Sequence, residues 1–241
     1  MAACGSPLVP ETKTEHSSTR WLTSSPEPSR KGLPFRVTSG HTCEVTRTAE
    51  RSRTTKETDI DIAIDLDGGP VDCDTGIPFF DHMLDQLGRH GSFGLKVHCK
   101  GDLEIDSHHT VEDVGIALGA CFGEALGDKA GVRRFATASC PLDEALVDVA
   151  LDLSGRPFLV YEIDPPGDII FGTPPFDPQL VEEFWRAFVT SAGITLHLTL
   201  VRGKNTHHII ESTFKGTARA LKDAVRIEGT EVPSTKGTLS G

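Results

Sequence analysis

One five-residue pattern, present twice, constrains this chain more than any other feature in it. His108-His109-x-x-Glu112 recurs as His207-His208-x-x-Glu211, an offset of 99 residues. At the same offset His98 matches His197, Val111 matches Ile210 and Phe122 matches Leu221. Repetition of polar and apolar positions together implies an internal duplication. Two copies are too few for a solenoid, so a pseudo-twofold arrangement follows.

Periodicity supplies the elements of each copy. Ile60, Ile62, Ile64 and Leu66 alternate with acidic residues in a half-buried strand, closed by the turn Asp67-Gly68-Gly69-Pro70. Pro78 opens a helix that Gly91 stops. Leu95, Val97 and Cys99 mark a second strand, and a helix follows over about 109–126. The second half reads as strands near 145–153 and 157–163, a Pro/Gly-rich loop and a helix over 179–192. A strand through Leu196 and Leu198 and a helix over 208–225 complete it. The expected unit is therefore strand–helix–strand–helix. The halves read as 43–132 and 133–241, and the second ends in the tail Pro233-Ser234-Thr235-Lys236-Gly237.

On a helix, Glu112 lies four residues after His108 and three after His109, so either imidazole can share its face. The adjacent histidines diverge by about 100° around the axis. One His would act with the Glu on one metal while its neighbour reaches a second. The bland alternative is a pair of solvated histidines at a helix start. His82 is a further candidate ligand, and its counterpart in the second half falls at Glu183. Imidazole and carboxylate without thiolate suit Mn²⁺, Fe²⁺ or Zn²⁺, and octahedral coordination favours Mn²⁺. Cations for an anionic group are scattered over Arg133, Arg134, Arg156, Lys215 and Lys236, and backbone N–H groups near Ser234 can form a nest.

Charge and composition narrow the classes. A net charge of −11 argues against sequence-independent nucleic-acid binding. No apolar run approaches the length of a membrane span. The six cysteines form no CxxC pair, which fits a reduced compartment better than a secreted scaffold. Residues 1–42 read as a disordered extension or, being Ser/Thr-rich with some Arg, as a transit peptide. Location is accordingly expected to be cytoplasmic, or plastid if the extension is a transit peptide. No GxGxxG, Walker or G-x-S-x-G pattern is present.

Phe80-Asp81-His82-Met83-Leu84, Asp106 to Asp113, Asp152 to Pro157, Asn205 to Glu211 and Pro233 to Gly237 together resemble the imidazoleglycerol-phosphate dehydratase family. The resemblance runs from about Val45 to Leu239. It implies an α+β fold (ribosomal protein S5 domain 2-like) with four helices between two sheets, and a hydro-lyase of histidine biosynthesis. It further implies two Mn²⁺ per active site, a small phosphorylated imidazole substrate and a shell of 24 subunits. Carried over by position, the metal ligands are His82, His108, His109, Glu112, His207, His208 and Glu211. Glu183 stands where many members have a ligating His. Glu50 matches the acid/base glutamate. His82, Gln86 and His90 fall in a substrate-contacting segment, and Gln86 joins Glu50 and His82 as a catalytic candidate. Substrate contacts extend to His108, Glu112 and His207, with Arg134, Arg156, Lys215, Ser234 and Lys236 on the phosphate side. Two rivals from other classes are a dinuclear hydrolase of a phosphorylated small molecule and a non-catalytic shell with structural metal.

Overall fold

The computed structural model describes residues 46–239; the extension read over 1–42 lies outside the described residues. The first half contains β1 (Thr48–Thr54), β2 (Thr58–Asp65), β3 (Val71–Asp74), α1 (Pro78–Gly91), β4 (Gly94–Gly101) and α2 (His108–Leu126). The second repeats the order with β5 (Phe135–Leu142), β6 (Ala145–Asp152), β7 (Phe158–Glu162), α3 (Leu180–Ala192), β8 (Thr195–Arg202) and α4 (Thr206–Ala224). The repeated unit is thus β-β-β-α-β-α, longer than the expected strand–helix–strand–helix.

Three strands escaped the periodicity argument: β1, β3 and β5. All are edge strands, in sheets ordered β1-β2-β4-β3 and β5-β6-β8-β7. Their inward residues are few and small. Ala49 is the one buried residue of β1, Ala136 and Cys140 are those of β5, and β3 spans four residues. Strong alternation is confined to strands that bury a full apolar face against helices. Ile60, Ile62 and Ile64 of β2 do so with Leu95 and Val97 of β4. Val147, Val149 and Leu151 of β6 do so with Leu196 and Leu198 of β8.

Helices α1 and α2 cover the first sheet, α3 and α4 cover the second, and α2 meets α3 while α1 meets α4. Four helices therefore lie between two sheets. The helices of each cross-half pair run parallel. His82 and Glu211 approach to 3.6 Å near the starts of α1 and α4, and Lys222 Nζ donates to Ser92 Oγ at 2.8 Å near their ends. Along α2, Gly115, Gly119 and Gly123 face the backbone of α3, and a Cβ on Gly119 would stand 2.4 Å from the Phe188 carbonyl oxygen.

The duplication does not keep one offset. It is 87 across the first three strands (Thr48 to Phe135, Thr58 to Ala145, Val71 to Phe158). The left-handed C-caps Ser92 and Gly193 are 101 apart, because the β7–α3 connection is 14 residues longer than the β3–α1 one. The helices α2 and α4 return to 99. This corrects the pairing of His98 with His197. His98 pairs with Asp61 and His197 with Ala150, whose counterpart in the first sheet is Ala63. Ala63 faces Lys96, so Lys96 is the structural equivalent of His197, and Thr199 is that of His98.

Among the described residues no helix is long and apolar enough to cross a membrane. Cys73, Cys99, Cys121 and Cys140 are free, and burial pushes each thiol up, Cys73 and Cys99 to about 12.

Candidate metal centre

The C-cap offset of 101 sets Glu183 in the place of His82. Each HHxxE motif opens a helix whose first amides are satisfied locally. The Asn205 side chain accepts from the N–H groups of His207 and His208, and Asp106 Oδ1 accepts from His108 N at 2.7 Å. These caps leave the imidazoles free for other work.

On α4, His207 and Glu211 are one turn apart, with Nε2 to Oε2 at 3.1 Å. α1 brings His82 against the other carboxylate oxygen at 3.6 Å. The ligand atoms of His82, His207 and Glu211 all lie within 4.8 Å of one another, the one such three-donor group among the described residues. Two donors on opposite sides of one ion at about 2.1 Å stand about 4.2 Å apart, so small rotations close this set on a single cation. Two imidazoles and a carboxylate without thiolate fit a divalent transition ion. Lys215 Nζ sits 2.7 Å from Glu211 Oε1. Burial raises the Glu211 carboxyl, but the Lys215 hydrogen bond and charge, with His82 and His207, hold it below the usual carboxylate range. The edge of Phe79 against the His207 ring fixes that imidazole from the apolar side.

Gln86 is buried one turn behind His82. Its amide meets His82 Nδ1 at 3.4 Å and His90 Nε2 at 3.2 Å, a chain along one face of α1. Burial holds the His90 imidazole below its ordinary value, and the Lys215 and Arg219 charges add to this. None of this recurs in the second half, where Ala187 and Ser191 occupy the places of Gln86 and His90.

The related group on α2 and α3 is looser. His108 Nε2 lies 3.8 Å from Glu112 Oε2, and Glu183 lines a cavity of about 540 Å³ with His108. His109 and His208 turn away from these groups, as adjacent helical positions must. His109 Nδ1 meets Asp102 at 3.0 Å, and His208 Nδ1 meets Glu144 at 2.9 Å. The Asp102 hydrogen bond raises His109, while His208 and the backbone N–H of Asn205 hold Glu144 down at about 2. Sequence reasoning missed these carboxylates, which orient imidazoles in the way ligating histidines need. Glu57, 4.0 Å from His109 Nε2, and Glu144 are equivalent at offset 87, so a repeat search at 99 hides the pair.

The remaining candidates fall in two other places. Arg134, Arg156, Ser234 and Lys236 share a cavity of about 620 Å³ with Ser154, Thr235, Thr238 and Leu239. There Arg134 grips Asp152 with Nε at 2.7 Å and Nη2 at 3.1 Å. Lys215 stands apart from this cavity, against Glu211. Glu50 projects from the outer face of the first sheet, across from Ala63 and in a groove with Lys96.

This geometry sits on a chain with clear relatives. The family model for imidazoleglycerol-phosphate dehydratase matches residues 75–221. The dehydratase of Jannaschia sp. is 55% identical over 197 residues, covering 80% of this chain and all of its own. That of Methanopyrus kandleri is 50% identical over 194 residues, covering 80% of this chain and 96% of its own. The crystal structure of the Staphylococcus aureus enzyme superposes with a TM-score of 0.68 at 38% identity, over 75% of this chain and 99% of that one. The Pyrococcus furiosus enzyme gives 0.65 at 34% identity, over 78% and 99%. The duplicated fold, the paired HHxxE helices and these relatives together show that the chain belongs to the imidazoleglycerol-phosphate dehydratase family.

Proposed function

We propose that this protein dehydrates imidazole glycerol phosphate to imidazole acetol phosphate in histidine biosynthesis, using two Mn²⁺ per active site. The observation that carries the reading is the His82–His207–Glu211 group, closed to within 4.8 Å in a chain of this family. Its pseudo-twofold relative, Glu183, His108 and Glu112, would hold the second ion, with His109 and His208 completing sites from their outward-turned sides.

The described residues of one chain do not offer a whole site. The backbone N–H of Arg134 donates to the Ala224 carbonyl, at the far end of α4 from His207. The seventeen helical steps from His207 to Ala224 span about 25 Å. A three-carbon link between imidazole and phosphate reaches about 7 Å, as two extended residues do. The phosphate pocket and the metal group of one chain therefore serve different substrates, and each site is shared between copies. This supports a homo-oligomer, with the family's 24-subunit shell as the proposed form. A cytoplasmic, reducing location is consistent with the buried free thiols.

Within such a site, bound divalent ions would supply positive charge to stabilise the electron-rich ring and the departing hydroxyl. Arg156, Lys236 and the Ser234 backbone would hold the phosphate, with Arg134 setting the pocket through Asp152. Glu50, exposed on a sheet face, would enter a neighbouring copy's site and accept the carbon-bound proton as the C–O bond breaks.

Two outcomes are expected. EDTA-stripped protein loses turnover to imidazole acetol phosphate and regains it with Mn²⁺. Release of inorganic phosphate without dehydration would instead mark a hydrolase. Glu50→Gln is expected to retain metal and lose turnover by about 10²–10⁴-fold, the usual worth of a general base. Normal turnover in that variant would remove Glu50 from the mechanism.

A further inference from the structure

The C-terminal strap, residues 232–239, brings Ser234, Thr235, Lys236 and Thr238 to the anion pocket without a helix or strand of its own. The linker between the two repeats shapes it. Gly131 N donates to the Glu231 carbonyl at 2.8 Å, its carbonyl accepts from Glu228 N at 2.8 Å, and Val132 bridges Ile227. Four linker residues have a positive φ: Gly127 (+58°), Lys129 (+63°), Gly131 (+71°) and Arg134 (+77°). Residues with a β-carbon rarely adopt that conformation, and here both of those that do send their side chains to the strap. Arg134 Nη1 donates to the Pro233 carbonyl at 2.7 Å, at the near end. Lys129 Nζ donates to the Leu239 carbonyl at 3.3 Å, at the far end, where the Leu239 side chain is itself buried.

Lys129 is 8% exposed, an uncommon place for a lysine. Burial holds its ammonium below the ordinary value, with Asp152 pulling it back up. It is absent from the lining of the pocket and its hydrogen bond goes to the strap, so its contact with a bound anion is indirect. We propose that Lys129 is a positioning residue for the substrate's phosphate: by pinning the far end of the strap it holds Ser234 and Lys236 over Arg134 and Arg156. This rests on the phosphate reading of that pocket.

Lys129→Met keeps the stem and removes the donor. Inorganic phosphate is titrated into metal-loaded wild type and variant, and amide exchange is followed over the strap. The variant is expected to bind phosphate about tenfold more weakly, and its strap amides to exchange about tenfold faster while those of α2 and α4 keep their rates. In turnover, KM rises while kcat stays within about threefold, the signature of lost binding rather than lost chemistry. If Lys129→Met does not fold, Leu239→Ala loosens the buried strap end without adding charge to the pocket it lines, with the same expectation. Unchanged strap exchange and phosphate affinity in the folded variants overturn the latch. A wild-type protein that takes up no phosphate overturns the pocket reading, and the proposed role of Lys129 falls with it.

Discussion

Glu211→Gln is expected to lower both metal affinity and turnover by about 100-fold or more. Loss of a group that merely orients a ligand already costs about 10–100-fold. Glu211 uses both carboxylate oxygens, one facing His207 and the other facing His82 and Lys215. Gln keeps the shape and removes the only anion of the group. Two imidazoles and the Lys215 ammonium would then face an incoming cation with nothing to offset that positive charge. Metal titration of stripped protein, read beside turnover, checks this. A Glu211→Gln protein that loads metal at wild-type affinity would show that the ion sits elsewhere. Glu112→Gln, its counterpart on α2, is expected to weaken uptake of the second ion and leave the first in place.

Gly119→Ala should destabilise the fold by about 1–3 kcal/mol, although alanine is a better helix former by about 1 kcal/mol. The added carbon would stand 2.4 Å from the Phe188 carbonyl oxygen, which belongs to a helix backbone and not to a side chain that can swing aside. Relief requires α2 and α3 to move apart, which would loosen Phe122 against Phe188. The equivalent position on α4 is Ala218, so the α1–α4 contact accepts a methyl that the α2–α3 contact does not. Denaturant midpoints of Gly119→Ala against Ala218→Gly measure the difference. An unchanged midpoint in Gly119→Ala would mean that the helices are not held this close.

The paired candidate donors were legible because the duplication copied them. His108, Glu112, His207 and Glu211 stand at one offset, and the turn geometry of a helix separates each from the His beside it. Matching His82 with Glu183 also succeeded, since the C-caps Ser92 and Gly193 keep the same spacing. Legibility failed where the offset changed. His98 and His197 looked equivalent only because the helix offset of 99 was extended back across a connection before which the strand offset is 101. Glu57 and Glu144 went unseen for the same reason, lying in the part of the repeat where the offset is 87. The edge strands β1, β3 and β5 carry too little buried apolar surface to write an alternation. Lys129 had no signal at all, since a lysine beside glycines reads as a solvated turn.

The helix layers carry a consequence for how the chain folds. Each half has a sheet and two helices, but the far sides of those helices are covered only by the other half: α2 by α3, and α1 by α4. A half expressed alone would expose the aromatic row of Phe184, Trp185, Phe188 and Phe214, or the glycine groove that receives part of it. Neither fragment closes a core. Unfolding of residues 46–239 is then one cooperative event and not two. An ancestor with a single unit would have folded only as a symmetric dimer, with the linker later joining what association had first held together.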